Sequence, residues 1–328
     1  MISRRQLLIA FGASSLAVPL ASFAQQQGKV WRIGYLAERD QSSYVPFIDA
    51  FKAGLRELGY TEGKDYAFEH RSAKYDYAHL PALARELVAL KVDLIISSGT
   101  PSADAARRAT REIPILIVTA GDPVGAGFAT TLSRPGGNIT GLTGLNSELD
   151  AKRLDLLHQI LPDMRRVGIL YDPNSPAETG TISRFESACE KLQLKSIRVP
   201  VRKREEIAAA LSLFKRDKGQ ALLVSGSGTV IGWHASIIEQ TAKYRLPAMY
   251  ARTMGADSGQ LISYSANALD LYRRAATYAD KIFKGAKPGD LPIEQPLKFE
   301  MVINLKTAKA LGIKIPDIVM LRADRVIE

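Results

Sequence analysis

Residues 92–123 read VDLIISSGTPSADAARRATREIPILIVTAGDP, and this stretch decides the fold class. The runs VDLIIS and IPILIVTA are short and apolar, as in strands that are buried on both faces of a parallel sheet. The segment between them, PSADAARRATR, predicts a helix. A strand, a helix and a second strand in this order predict a parallel βαβ unit.

The same alternation runs along the chain twice. From residue 30 the order is VWRIGYL, an amphipathic helix over 47–60, the strand DYAFEHRS and a second helix. From residue 165 this order repeats, and QALLVSGSGT matches VDLIISSGT down to its final Gly-Thr. Equivalent glycines such as Gly34 and Gly168 lie about 130 residues apart. The sequence therefore predicts an α/β protein with two Rossmann-like parallel-sheet lobes.

Three segments are candidates for chain crossings between the lobes. Gly, Asn and Thr replace the apolar rhythm at 134–148, a second crossing lies near 264–267, and a third follows 287–296. Three crossings predict a hinge, since each can absorb a small change in φ and ψ. The expected lobes are residues 30–144 plus about 266–295, and residues 145–265 plus about 296–328.

The first residues, MISRRQLLIAFGASSLAVPLASFAQQ, have the plan of an export signal. Arg4 and Arg5 form a charged start, an apolar stretch follows, and Ser22-Phe23-Ala24 has the small-x-small pattern of a cleavage site. We expect a signal peptide over residues 1–24, cleaved near Ala24, and a mature protein in the periplasm. The paired arginines fit a twin-arginine signal, and the apolar stretch also fits general secretion.

Composition and spacing argue against several functions. The 44 Lys and Arg exceed the 34 Asp and Glu, but they are spread over amphipathic segments, so we expect no nucleic-acid partner. Cys189 is the only cysteine and the four histidines are scattered, so we expect neither a disulfide nor a metal site. VSGSGTVIG has the spacing GxGxxxG rather than that of a dinucleotide fingerprint, and no GxSxG or HExxH motif occurs. We therefore expect no cofactor and no enzymatic activity.

Polar residues follow the strands of both lobes. The strand ends read YLAERD, SGTPS and TAGDPVG in the first lobe, and YDPNSPAE, SGSGTV and YARTMG in the second. Because ligands bind beyond the carboxyl ends of parallel strands, we expect these ends to face each other across a cleft. Hydroxyls, helix N-termini and glycines that allow close backbone approach suit an anionic or zwitterionic solute. Asp122 is either a helix cap or a contact to that solute.

These strand ends supply the predicted ligand-binding residues. Tyrosines are included because a ring at a strand end can stack on a solute. The predicted set is Tyr35, Gly99, Thr100, Pro101, Ser102, Asp122, Pro123, Val124, Tyr171, Asn174, Ser225, Ser227, Tyr250 and Tyr264.

Several longer stretches resemble a known family. They are FKAGLRELGYTEGKDY, LPALARELVALKVDLIISSGTPSADAA, IPILIVTAGDPVGAGF, SRPGGNITGLT, AATYADKIFKGAKPGDLPIEQP and FEMVINLKTAKALGIKIP. Together they resemble the substrate-binding proteins of ABC importers with the type I periplasmic-binding-protein fold, and more narrowly the tryptophan- and tyrosine-binding TrpX-like proteins. The resemblance implies a solute between two lobes and an ABC permease as partner. It also implies that 99–102 and 122–124 line the first lobe's side of the cleft.

The favoured hypothesis is an exported, monomeric solute-binding protein of an ABC importer. Its solute would be a small carboxylate-bearing molecule, either an amino acid or an aromatic or other organic acid. Two alternatives use the same cleft: an exported α/β enzyme relying on Ser227 or Asp122, and a ligand sensor that presents its closed form to a membrane receptor.

Overall fold

The first lobe is built on a five-stranded, all-parallel sheet in a computed structural model that describes residues 29–144, 149–175, 178–253 and 258–328. The spatial order of its strands is β2-β1-β3-β4-β5. The strands are β1 (Trp31–Ala37), β2 (Tyr66–Ser72), β3 (Leu94–Ser97), β4 (Ile115–Ala120) and β5 (Ile139–Thr143). The helices that connect them are α1 (Gln41–Glu57), α2 (Leu80–Ala89) and α3 (Thr100–Ala109).

The second lobe repeats this plan and extends it to seven strands. Its strands are β6 (Arg166–Tyr171), β7 (Lys195–Pro200), β8 (Ala221–Val224), β9 (Ala248–Tyr250), β10 (Ile262–Ala266), β11 (Phe299–Asn304) and β12 (Arg325–Ile327), in the order β12-β11-β10-β9-β8-β6-β7. Only β10 and β11 pair antiparallel among these strands. Its first five helices are α4 (Asp150–Ile160), α5 (Glu178–Lys191), α6 (Ile207–Arg216), α7 (Gly228–Gly232) and α8 (His234–Lys243). The next helix, α9 (Ala268–Phe283), lies on the first lobe. The last two helices, α10 (Leu305–Leu311) and α11 (Asp317–Met320), belong to the second lobe again.

The first helix is longer than its apolar pattern predicts. The predicted helix began at residue 47, whereas α1 begins at Gln41, because the Asp40 side chain caps it by accepting a hydrogen bond from the Ser43 N–H at 3.0 Å. The helix continues through Pro46 and is followed by Gly59 at φ +90°, a conformation that glycine adopts without strain.

Helix α9 closes the first lobe by packing along α1. A Cβ atom added at Gly54 would lie 2.4 Å from the Arg273 carbonyl oxygen, so only glycine allows this close approach. The buried face of α9 includes Leu271, Ala275 and Ala279, which join the first lobe's core. The first lobe is therefore completed by a segment that comes after most of the second lobe in the chain.

The chain passes between the sheets at three places: after β5, between β10 and α9, and between residue 294 and β11. Glu294 still forms a bridge with Leu142 of the first sheet, which places this crossing after residue 294. The crossings confirm the predicted fold of two α/β lobes joined by a three-crossing hinge. The exact residue limits of the two lobes stay a prediction.

Candidate functional site

A cavity of about 680 Å³ lies between the two lobes. In the first lobe its walls come from the segments that follow β1, β3 and β4. In the second lobe they come from the segments that follow β6, β8 and β9, together with the first turns of α5. The carboxyl ends of corresponding strands thus face each other across one cleft, as expected for parallel sheets.

Six of the predicted site residues lie on the cavity wall. In the first lobe these are Gly99, Thr100, Pro101 and Asp122, and in the second they are Asn174 and Ser227. Their backbone positions bring the SGTPS and SGSGT stretches together. A contact of each residue with a solute stays a prediction.

Two residues of the first lobe's wall accept hydrogen bonds from the protein's own backbone. The Gly121 N–H donates to Thr100 Oγ1 at 3.1 Å, and the Gly125 N–H donates to Asp122 Oδ1 at 2.9 Å. Asp122 is therefore a turn cap whose exposed carboxylate also borders the cavity. Thr119, two residues before Gly121, has φ +65° at a break in the β4–β5 register, so the regular strand pairing is interrupted just before the turn.

Four predicted residues lie beside the cavity without lining it. Ser102 and Ser225 are buried, and each directs its hydroxyl to a carboxylate that does line the cavity. Pro123 is buried in its turn, whereas Val124 is 43% exposed outside the cavity. Ser102 and Ser225 therefore support the cavity wall through these carboxylates, whereas a solute contact of any of the four residues stays a prediction.

The predicted tyrosines lie away from the cleft. Tyr35 is buried in the first core and shares a 3.1 Å hydrogen bond with Tyr272, and Tyr250 is buried in the second core beside Thr241. Tyr35 and Tyr250 lie within strands that are covered on both faces of the sheet, so their side chains are buried whichever face they point to. Tyr264 stacks on Phe299, with ring centroids 5.9 Å apart.

Tyr171, the remaining predicted tyrosine, lines a separate shallow hollow of about 450 Å³ next to Arg198. None of the four predicted tyrosines lines the main cavity, so the structure offers no support for their rings stacking on a solute there. The aromatic side chains on the main cavity wall are Tyr77 and Phe128 among the described residues.

A carboxylate that the sequence prediction missed occupies the N-terminus of α3. Glu38 is buried, and its Oε1 accepts hydrogen bonds from both the N–H and the hydroxyl of Ser102, each at 3.0 Å. Burial raises the pKa of Glu38, while the Ser102 hydrogen bonds and the charges of Arg39 and Arg252 act in the opposite direction. This helix terminus, predicted to receive a ligand carboxylate, is filled by the protein's own side chain.

The second lobe presents an equivalent buried carboxyl group. The Ser225 hydroxyl donates to Glu178 Oε1 at 2.6 Å, and Ser227 and the Asp172 N–H add further hydrogen bonds. Burial raises the pKa of Glu178 to about 7, and the nearby charge of Asp150 acts in the same direction. Asp172 and Glu178 therefore give this wall an acidic character that depends on pH.

The two lobes touch at the inner end of the cavity. The Tyr77 hydroxyl donates to the Gly228 carbonyl at 2.5 Å. A Cβ added at Gly228 would lie 3.2 Å from Glu38 Oε2 and from Pro101 Cγ, so the absent side chain permits this contact. The molecule is thus in a closed arrangement in which both walls are close to each other.

Two arginines also line this inner end. Arg39 comes two residues after β1 and Arg252 comes two residues after β9, so one belongs to each lobe. The sequence prediction missed both, although YLAERD and YARTMG had been singled out as strand ends. The signal that could have found them is position, because the first residues beyond a buried strand are the first that can reach the cleft.

A metal site and a membrane-spanning helix each have requirements that the described residues do not meet. The described residues contain no group of three or more His, Cys, Asp or Glu that could hold a metal ion. No described helix has the length and apolar character needed to cross a membrane. The predicted signal peptide lies outside the described residues.

Comparisons with known proteins agree on one family. The family model described as ABC transporter substrate binding protein matches residues 40–327. A tyrosine-binding protein of Clostridioides difficile (strain R20291) is 26% identical over 273 residues, covering 82% of this chain and 78% of that protein.

Two solved structures are similar over nearly the whole chain. One is the ABC domain from Streptococcus pneumoniae in complex with L-Trp, and the other is a conserved domain protein from Vibrio cholerae. Each is 26% identical, with a TM-score of 0.84, and the alignment covers 91% of this chain and 100% of the other. The match extends across both lobes and therefore includes the cleft.

Proposed function

Because this chain belongs to the family of ABC transporter substrate binding proteins, we propose that it captures a small carboxylate-bearing solute for an ABC importer. Members of this family bind solutes and are not enzymes, so the cleft has a binding role. The observation that carries the proposal is the cavity of about 680 Å³ enclosed by both lobes. Its volume is that of a site for a small molecule.

The solute we propose is an amino acid or an aromatic or other organic acid, and two relatives support the amino acid. One relative is named for tyrosine and another was solved with L-Trp. The cavity of this chain has Phe128 as an apolar wall and carries acidic and basic side chains on both lobes. An apolar body with a charged end suits such a wall.

Export and delivery complete the proposal. Residues 1–24 would direct the chain to the periplasm, where the protein acts as a monomer. Closing of the lobes on the solute would create the surface that the permease recognises, and the hydrogen bond from Tyr77 to Gly228 would help to hold the lobes together in that form.

A melting-temperature screen of the purified mature protein tests this function. We expect one or a few compounds from a set of amino acids, aromatic acids and small dicarboxylates to raise the melting temperature, because a solute that binds the folded state stabilises it. Calorimetry should then give a single site per chain. Absence of any shift across this set and across sugars and polyamines would contradict the proposed function.

A further inference from the structure

Two guanidinium groups, one from each lobe, line the same cavity. Arg39 and Arg252 both line its inner end and are both partly buried. They are close enough that the charge of Arg39, after burial, helps to lower the pKa of Arg252 to about 10. Two like charges therefore approach each other when the lobes are closed.

Neither group has a carboxylate partner among the described residues. No ion pair within 4.0 Å joins Arg39 or Arg252 to any described Asp or Glu, and the Arg39 guanidinium instead lies 5.6 Å from the ring of Phe47. By contrast, Arg107 and Arg108 at the rim are both paired with Asp104. Partly buried guanidinium groups without a partner are costly unless a ligand supplies the anion.

The neighbouring groups leave this positive charge only partly balanced. Glu38 is the carboxylate whose charge acts on both arginines, but its Oε1 is already held by Ser102. Burial keeps the pKa values of Tyr77 and Tyr272 above the ordinary value, so both phenols are neutral at pH 7. His234 is fully buried with no hydrogen bond to either ring nitrogen, and burial lowers its pKa to about 3, so it is neutral as well.

We propose that Arg39 and Arg252 together receive the carboxylate of the solute, one guanidinium from each lobe. The N-terminus of α3 cannot do so at Ser102, because Glu38 occupies its N–H and hydroxyl. Guanidinium groups match a carboxylate with two parallel hydrogen bonds, which a single ammonium cannot do. An anion between the two arginines connects the lobes and cancels the repulsion that opposes closing.

This inference rests on the proposed function and makes that function more specific. The carboxylate becomes the group that the solute needs for binding, while its amine is optional. Three probes separate these requirements: L-tryptophan has both groups, indole-3-propionate keeps the carboxylate, and tryptamine keeps the amine.

The experiment is calorimetry of these probes with the mature protein and with Arg39→Gln, Arg252→Gln and Arg252→Lys. We expect the two carboxylates to bind and tryptamine not to bind. Each Gln variant should weaken carboxylate binding about tenfold or more, and Arg252→Lys should weaken it less, because Lys keeps the charge without the paired donors. Arg216→Gln, on an exposed helix end, makes the same change of charge and should leave affinity unchanged.

Stability of the variants controls for folding. Neither guanidinium is ion-paired with a described residue, and the repulsion between the two offsets what each contributes beside Glu38, so the ligand-free melting temperature of each Gln variant should stay close to that of the parent. Tryptamine binding as tightly as L-tryptophan, or Gln variants behaving like Arg216→Gln, would overturn the inference.

A wider melting-temperature screen covers the case in which none of the three probes binds. A neutral or cationic solute that gives the largest shift would overturn the inference and leave the solute-binding function intact. A carboxylate that gives the largest shift, and loses it in both Gln variants, would support the inference. No shift from any compound would count against the function and the inference together.

Discussion

At the residue scale, Glu178 shows how burial sets the charge of the cleft. Its pKa is raised to about 7, so the folded protein holds this proton at pH values where the unfolded chain has released it. Its contribution to the free energy of unfolding is therefore present below about pH 4.5 and is lost as pH rises to about 7. The full loss is on the order of 3 kcal/mol.

Replacing Glu178 by Gln should flatten this pH dependence, because the amide keeps the shape of the protonated carboxyl without its titration. Urea unfolding at pH 5 and pH 8 measures the effect, and we expect the free energies of the variant to differ less than those of the parent, by on the order of 1–3 kcal/mol. Glu190→Gln, at an exposed position, is the matched control. If the free energy of unfolding changed between pH 5 and pH 8 by the same amount in Glu178→Gln and in the parent, Glu178 would not hold a proton in the folded protein.

At the element scale, the packing of α9 on α1 depends on the missing side chain of Gly54. Ala normally stabilises a helix interior relative to Gly, but here its Cβ would press on the Arg273 carbonyl, which belongs to the backbone and cannot swing away. We expect Gly54→Ala to lower the free energy of unfolding by about 1–3 kcal/mol. Thermal unfolding measures this, with Gly137→Ala as control because a Cβ there meets nothing within 4 Å. A Gly54→Ala protein as stable as the control would argue against tight packing.

Elements were easier to predict from the sequence than the side chains of the site. Strands β1, β3, β4, β6, β8 and β9 each show an apolar run that fits their burial, so the sequence pattern located them. Strands β2 and β7 lie at sheet edges and are largely polar, and the repeated order of elements located them. The sequence also predicted which strand ends border the cleft, because the carboxyl ends of parallel strands lie at the same edge of a sheet. Which side chain faces the cavity depends on where a strand ends: Tyr35 lies within β1 and is buried, whereas Glu38 and Arg39 come just beyond its end. Ser102 lies on the predicted segment but directs its hydroxyl to Glu38, and this contact between the first turn of α3 and the segment after β1 is not encoded by local sequence.

At the scale of the whole molecule, the hydrogen bond from Tyr77 to Gly228 joins the two lobes, and we expect it to be lost when they open. Tyr77→Phe removes the hydroxyl while keeping the ring, so we expect solute affinity to fall about fivefold, which corresponds to one hydrogen bond of about 1 kcal/mol. Calorimetry measures the affinity, and small-angle scattering should show a smaller radius of gyration with solute in the parent. Tyr75→Phe is the control, since the Tyr75 hydroxyl bonds Ser43 within the first lobe. Equal affinities for the two variants would show that the contact does not stabilise closing.

The placement of α9 also fixes an order of events during synthesis. Glu57 of α1 and Arg273 of α9 are ion-paired although they lie 216 positions apart in the chain. A ribosome therefore releases the first lobe's strands long before the helix that covers them, and contacts between such distant residues form slowly. The part of the first lobe's core that α9 covers stays exposed until the last quarter of the chain emerges. Throughout that interval the nascent protein remains open to chaperones and to the machinery that would carry it across the membrane.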